Sequence, residues 1–360
     1  MKIAIYGIGN LGEAVLSSLQ QAKYPPEIVY FVRTKKNQEF FHGIPVVSVE
    51  EICYDDFDYL VLASFTNTHE MIAALKKLHN GYERHSSKVV SFGELCARLT
   101  KNMPYYSCRV EPDLVYIGRQ DDLCIPAYMS LTERNWSDDM IDAFFELTRK
   151  YYPKSATETD GYFLDIGANI GTTSIYVEKK ARQPLKIIGF EPGQSNYDLF
   201  RVNCILNHSS RITAEMLGLS DVTREATYRY VAANSGGSSI IEDHDFAPGD
   251  SVVNVVRLDD YLTDRQISPQ QVSYIWIDVE GHEAQVIAGA MKTLQAKKIP
   301  LLQEFNPEDY RLQNTGTVYF DNMKRVYSSF IDVSDYLDGK SQVYSISELP
   351  NIGRTNLFFF

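Results

Sequence analysis

The sequence predicts an α/β chain built from two doubly wound units. Three observations carry this. Short runs rich in Val, Ile and aromatic residues alternate with helix-period segments over residues 1–100 and again from about Thr159. Each series opens with an apolar strand that runs into a glycine turn: Gly7-Ile8-Gly9-Asn10-Leu11-Gly12 in the first, Asp165-Ile166-Gly167-Ala168-Asn169-Ile170-Gly171 in the second. The 360 residues also exceed one usual domain of roughly 100–200 residues. The division expected is 1–100 for the first unit, 101–155 for a helical connector and 156–360 for the second unit.

In the first unit, Lys2–Tyr6 is a short apolar strand and Glu13–Ala22 the helix after its glycine turn, stopped by Pro25 and Pro26. Ile28–Arg33, Gly43–Val47, Tyr59–Ala63 and Val89–Ser91 read as further strands, and Thr68–Leu78 as a helix. In the connector, Asn102–Tyr106 and Glu111–Pro112 look irregular. Ser137–Tyr151 has helical spacing of Ile141, Phe144, Phe145 and Leu147.

The second unit has strands at Tyr162–Ile166, Lys186–Glu191, Ile212–Leu219, Tyr274–Val279 and Pro300–Phe305. Helices fill Thr172–Lys180, Asn196–Leu206 and Glu283–Ala296. Ala226–Val231 and Val252–Leu258 read as an inserted hairpin near the active-site face. Gln342–Ser345 and Asn356–Phe360 close the chain.

Composition narrows the function classes. Hydrophobic residues make up 44% and charged residues 23%, enough for a real core in each unit. The net charge of −12 lacks the basic footprint of a nucleic-acid or anionic-lipid binder. The apolar runs, such as Tyr59–Phe65, are too short to span a bilayer, and no signal peptide is read at the start. Cys53, Cys96, Cys108, Cys124 and Cys204 are odd in number and form no C-x-x-C pair. They read as reduced thiols of a cytoplasmic protein, without a disulfide framework or a zinc site.

The run from Phe163 to Gly171 carries the chemistry. A strand ends in Asp165. Gly167 and Gly171 have no side chain to keep a ligand away from the turn. The helix starting at Thr172 offers free N–H groups to a ligand carboxylate. About twenty residues on, the second strand ends in Glu191, which can accept both hydroxyls of a ribose, and Pro192 turns the chain. These features describe a pocket for a nucleoside bearing an amino-acid tail.

The second unit resembles the FkbM-type methyltransferases, which use S-adenosylmethionine. The matching runs, in order, are FLDIGANIGTTSIYV, GFEPGQSNYDLFRVNCILN, GLSD, VVRLDDYL, IWIDVEGHEAQVIAGA and LLQEF. The resemblance implies that the second unit is a class I methyltransferase sheet with helices on both faces, so that with the first unit the chain is expected to hold two Rossmann-like domains. It implies O-methyl transfer as the best-known chemistry of the family. It assigns Asp165, Gly167, Asn169 and Gly171 to the methionine and ribose pocket, Glu191 to the ribose, and Ser220 and Asp221 to the adenine edge. Asp278 would face the reacting methyl group, with Glu280 and His282 beside it. Asn196, Asn203 and Asn207 read as helix caps and surface polar groups.

Methyl transfer to an alcohol needs a positioned base. Asp278, Glu280 and His282 are the candidates, since the DVEGHE run follows a strand end and an imidazole titrates near ~6.5. Glu283 reads as an acidic residue in a helix's first turn. Asp278, Glu280 and Glu304 could together hold a divalent metal, which the sequence does not establish.

The first unit's Gly7–Gly12 run fits G-x-G-x-x-G after a strand and before a helix. Its second strand, however, ends in Arg33, so no carboxylate stands ready for a ribose, although Arg33 could meet a 2′-phosphate. His42 and His69 read as surface or structural. This unit is similar, more weakly, to Rossmann-like domains attached to bacterial sugar-modifying enzymes. The function expected is S-adenosylmethionine-dependent O-methylation of a hydroxyl on a sugar or glycan precursor. The alternatives are an NAD(P)-dependent oxidoreductase using the first glycine turn, or a non-enzymatic nucleotide-binding protein.

Overall fold

The computed structural model describes residues 1–360 except 21–25, 65–66, 80, 93, 96–104, 111–113, 154–160, 182 and 242–245. Pro25, Phe65, Cys96, Asn102, Glu111, Pro112 and Thr159 therefore lie outside the described residues, as does the expected helix end at Ala22. The chain divides into two compact units. One comprises 1–134 with 232–234, the other 135–231 with 235–360.

In the first unit, strands β1 (Lys2–Tyr6), β2 (Glu27–Arg33), β3 (Phe40–Phe41), β4 (Ile44–Ser48), β5 (Tyr59–Leu62) and β6 (Val89–Ser91) form one sheet in the order β3-β4-β2-β1-β5-β6. All its pairings are parallel except β3 with β4. Helices α1 (Asn10–Gln20) and α2 (Thr68–Leu78) follow β1 and β5. The strands carry apolar residues on both faces. Ile3 and Ile5 enter one core with Val15, Leu19 and Phe31, while Ala4 and Tyr6 enter another with Val49, Leu60 and Leu75. A sheet covered on both sides needs this continuous apolar pattern.

The stretch 101–155 is not one helical connector. It holds an antiparallel hairpin of β7 (Tyr105–Val110) and β8 (Leu114–Arg119), then helix α3 (Ile125–Thr132), all in the first unit. Helix α4 (Asp138–Tyr151) belongs to the second unit. The physical reason lies in alternation. Leu114, Tyr116 and Gly118 point one way and Val115, Ile117 and Arg119 the other, with the first set more buried. Phe144 of α4 instead packs on the aromatic rings of Phe163, Tyr274, Trp276 and Phe358.

The second unit is built on an eight-stranded sheet. Its strands are β9 (Tyr162–Ile166), β10 (Lys186–Phe190), β11 (Ile212–Glu215), β16 (Val272–Ile277), β17 (Leu301–Phe305), β18 (Ser329–Asp332), β19 (Tyr344–Ser345) and β20 (Thr355–Phe359). The order is β11-β10-β9-β16-β17-β20-β18-β19. The first five run parallel, and β20 is antiparallel to both of its neighbours. Helices α5 (Thr172–Lys180), α6 (Gln194–Leu206), α7 (Leu258–Asp264), α8 (Glu283–Gly289) and α9 (Met291–Ala296) link the strands. Leu164, Ile166, Ile275 and Ile277 face the core opposite the aromatic layer of α4. Strand order reverses between β9 and β16, which opens a crevice at their carboxyl ends.

The insertion is larger than a hairpin. β12 (Gly218–Leu219), β13 (Arg224–Arg229), β14 (Ser239–Ile241) and β15 (Ser251–Val256) form a separate sheet in the order β12-β15-β13-β14. The expected single strand Ile212–Leu219 is thus split, because its last residues pair with β15 rather than β10. The expected helix Glu283–Ala296 is likewise two, broken at Ala290. No described helix is long and apolar enough to cross a membrane.

Candidate active site

The crevice holds an open cleft at the carboxyl ends of β9, β10 and β16. Its floor is the glycine turn. Gly167 has φ +92°, and a Cβ there would lie 1.8 Å from the Asp278 carbonyl oxygen. Only glycine fits that approach. Gly171, also left-handed, makes room for the Phe200 ring rather than for the cleft. Asn169 adopts φ +49°, and its buried side-chain Nδ2 has no partner.

Glu191 follows β10 and is 4% exposed. Its Oε2 accepts from the Asn169 N–H at 3.0 Å. Its Oε1 accepts from the Gly193 N–H at 2.8 Å and the Tyr228 hydroxyl at 3.1 Å. Burial raises its pKa to about 7, against the hydrogen bonds it receives. Asp165 lies beneath the turn, fully buried, and accepts from Ser174 Oγ at 2.5 Å. Burial raises its pKa to about 6.

Asp278 follows β16 and lines the cleft. Burial holds its carboxyl well above the usual range, helped by the nearby Glu304, Glu280 and Asp165 charges. Oxygens of Asp278, Glu280 and Glu304 lie within 4.8 Å of one another, a spacing a cation could bridge. Arg354 already brings a positive charge there: its Nη2 is 2.7 Å from Glu304 Oε1 and 4.0 Å from Glu280 Oε2. Glu280 is raised to about 7, first by burial and then by Glu304.

His282 does not join this group. It is 1% exposed, and its Nε2 lies 3.0 Å from Ser220 Oγ. Burial lowers its pKa to about 4, so the ring is neutral near pH 7. Ser220 is fully buried and also donates to Asp221 Oδ1 at 3.1 Å. Neither Ser220 nor Asp221 lines the cleft. That wall is formed by Leu217, Gly218, Leu219 and Ile240. Glu283 opens α8 as expected, but it is 2% exposed, and burial raises it to about 8.

Asn196, Asn203 and Asn207 are buried, not surface groups. Asn203 Nδ2 donates to the Ile170 carbonyl at 2.9 Å, because the glycine turn leaves that carbonyl without a strand partner. Sequence reasoning also missed Tyr228 of the inserted sheet and Ser235 of the turn between β13 and β14. Ser235 Oγ donates to Asn169 Oδ1 at 3.2 Å. The one signal in the sequence was the alternation of β13, which places Ala226 and Tyr228 on the same buried face.

The sequence profile of the methyltransferase FkbM domain matches residues 165–346, half of the chain. The chain belongs to the FkbM methyltransferase family. A second profile, described as C2185-like, N-terminal, matches residues 1–84. Among curated proteins, the FkbM chain is similar to Methyltransferase 1 of Beauveria bassiana, 26% identical over 157 residues. That alignment covers 39% of this chain and 62% of the relative. Methyltransferase sdnD of Sordaria araneosa is 29% identical over 157 residues, covering 36% and 60%. The chain thus spans about three fifths of the length of these relatives. Among solved structures, it aligns with the methyltransferase FkbM from Methylobacillus flagellatus KT at 14% identity and a TM-score of 0.37, covering 100% of this chain and 90% of that one. An O-methyltransferase from Bacillus cereus in complex with SAH aligns at 10% identity and a TM-score of 0.36, covering 62% and 80%. The sheet order, with its antiparallel β20 between β17 and β18, is that of a class I methyltransferase.

Proposed function

We propose that this FkbM methyltransferase uses S-adenosylmethionine to methylate a hydroxyl, on a sugar or glycan precursor. The observation that carries the cofactor reading is the orphaned Asn169 Nδ2. It is a buried donor with no protein partner, on the same turn as the Gly167 cradle and one hydrogen bond from Glu191. A buried donor without a partner costs roughly 1–3 kcal/mol, which a ligand acceptor would recover. Asn169, Glu191 and Gly167 would hold the nucleoside and its amino-acid tail. The carboxylates of Asp165 and Asp278 suit a ligand that carries positive charge.

The cofactor supplies an electrophilic methyl group on a sulfonium. A hydroxyl that took up that methyl group would have to give its proton to a base on the protein. Asp278 fits that role, because like charges and burial give it a high proton affinity when ionised. His282 is less suited to it, because its Nε2 faces Ser220 and its buried ring does not line the cleft. The sugar acceptor rests on the family resemblance and on the attached N-terminal domain. Incubating the full chain with methyl-labelled S-adenosylmethionine and sugar or glycan acceptors, then locating the label by mass spectrometry, tests both parts. An O-methyl sugar is the expected product. A methylated amine, thiol or carbon refutes the acceptor chemistry.

A further inference from the structure

We infer that Tyr228, on the inserted sheet, is a positioning residue for the cofactor: its hydroxyl sets the Glu191 carboxylate against which a ribose diol binds. This rests on the reading that Glu191 holds the ribose. Tyr228 is 3% exposed, and its hydroxyl donates to Glu191 Oε1 at 3.1 Å. The same hydroxyl takes a hydrogen bond from Ser238, so a chain of donors runs Ser238, Tyr228, Glu191. Pairing of Arg224–Tyr228 with Ser251–Val255 fixes the strand register that turns this ring inward.

The adjoining loop is shaped for the ring. A Cβ at Gly193 would lie 2.6 Å from the Tyr228 ring and 2.7 Å from its hydroxyl oxygen. Gly193 therefore lets the tyrosine reach over the turn. From the same insertion, Ser235 Oγ holds Asn169 Oδ1 and leaves the amide's Nδ2 for a ligand. The inserted sheet and its adjoining turn thus grip both Asn169 and Glu191.

The groups that face Glu191 are the N–H donors of Asn169 and Gly193, the Asn196 amide and Tyr228, of which Tyr228 is the titratable one. Each donor favours the ionised carboxylate, against burial. Removing the hydroxyl takes away one such donor, so Glu191 holds its proton to higher pH and accepts ribose hydroxyls less well at neutrality.

The test is calorimetric titration of S-adenosylhomocysteine into the full chain, from about pH 6 to about pH 9. Wild type, Tyr228→Phe, Gly193→Ala and Glu191→Gln are compared, with melting curves to confirm folding. Affinity of the wild type should rise with pH through the titration of Glu191. Tyr228→Phe keeps the ring and should bind roughly tenfold more weakly at neutral pH, with its midpoint moved to higher pH. Gly193→Ala should do the same by displacing the ring. Glu191→Gln should bind weakly with a flat profile. An unmoved midpoint in Tyr228→Phe, or tighter binding, overturns the inference while Glu191 keeps its role. Wild-type-like binding by Glu191→Gln instead overturns the ribose reading on which it rests.

Discussion

The two glycine turns of this chain use one backbone device for different ends. Both follow the first strand of a parallel sheet and precede a helix. In the N-terminal turn, a Cβ at Gly12 would lie 2.2 Å from the Gly7 carbonyl oxygen, so glycine there serves close packing of α1 on its own turn. Gly9 has open space around it. The neighbouring strand ends in Arg33, whose guanidinium is bonded to Asn37, and Tyr6 is tied to Thr34. In the C-terminal turn, Gly167 touches the Asp278 backbone, Asn169 keeps an orphaned donor, and Glu191 stands beside them. A glycine pattern reports a tight turn. The carboxylate after the next strand and the unpaired donor are what the proposed cofactor site adds to it.

The largest expected effect separates the residues after the strand beside each first strand. Asp278→Asn should lower turnover by about 10²–10⁴ if Asp278 takes the acceptor proton. Ser64→Ala, after β5, should leave turnover unchanged. His282→Ala should cost melting temperature through its lost Ser220 bond, with only a small change in rate. Steady-state kinetics and thermal melts decide, and a rate loss in His282→Ala as large as in Asp278→Asn would return the imidazole to the base role.

The next contrast is steric. Gly167→Ala meets the Asp278 carbonyl and a left-handed φ, so it should cost about 2–4 kcal/mol of stability or abolish cofactor binding. Gly9→Ala meets nothing and should lie within about 0.5 kcal/mol of wild type. Denaturant unfolding measures both.

The smallest effect is a pH slope. Burial raises Asp165 to about 6, Glu191 and Glu280 to about 7, and Glu283 to about 8. Each is raised above its unfolded value, so the stability it contributes is full at low pH and is lost as pH climbs through these values. His282, lowered to about 4, acts the other way: its contribution is lost as pH falls from about 6.5. With Asp278 also raised, five carboxyls against one imidazole predict a ligand-free chain that melts at lower temperature at pH 8 than at pH 6. In the N-terminal unit the groups raised among the described residues are the tyrosines Tyr6, Tyr30 and Tyr54, which titrate far above this window. Glu283→Gln should therefore flatten the slope in thermal melts across that range. An unchanged slope would place its origin elsewhere.

Local pattern made much of the fold legible. Lys2–Tyr6, Thr68–Leu78, Val89–Ser91, Tyr162–Ile166 and Thr172–Lys180 have the bounds their apolar spacing predicts. The hairpin β7–β8 escaped, because Tyr105–Val110 mixes polar and apolar residues and its meaning comes from pairing with Leu114–Arg119. At the cleft, the placing of Glu191 and Asp278 was legible because each follows directly on an apolar strand. Tyr228 could not, since it reaches Glu191 across 37 residues of chain. The surroundings of His282 were hidden for a related reason: it follows β16, but the Ser220 hydroxyl that faces its Nε2 comes from 62 residues away.

The most direct measurement is titration of S-adenosylhomocysteine into the full chain and its Glu191→Ala and Arg33→Ala variants. One site per chain is predicted, with affinity ten- to a hundredfold weaker (about 1.5–3 kcal/mol) in Glu191→Ala and unchanged in Arg33→Ala. Unchanged affinity in a folded Glu191→Ala chain, or its loss in Arg33→Ala, would contradict the assignment of the cofactor to the C-terminal turn.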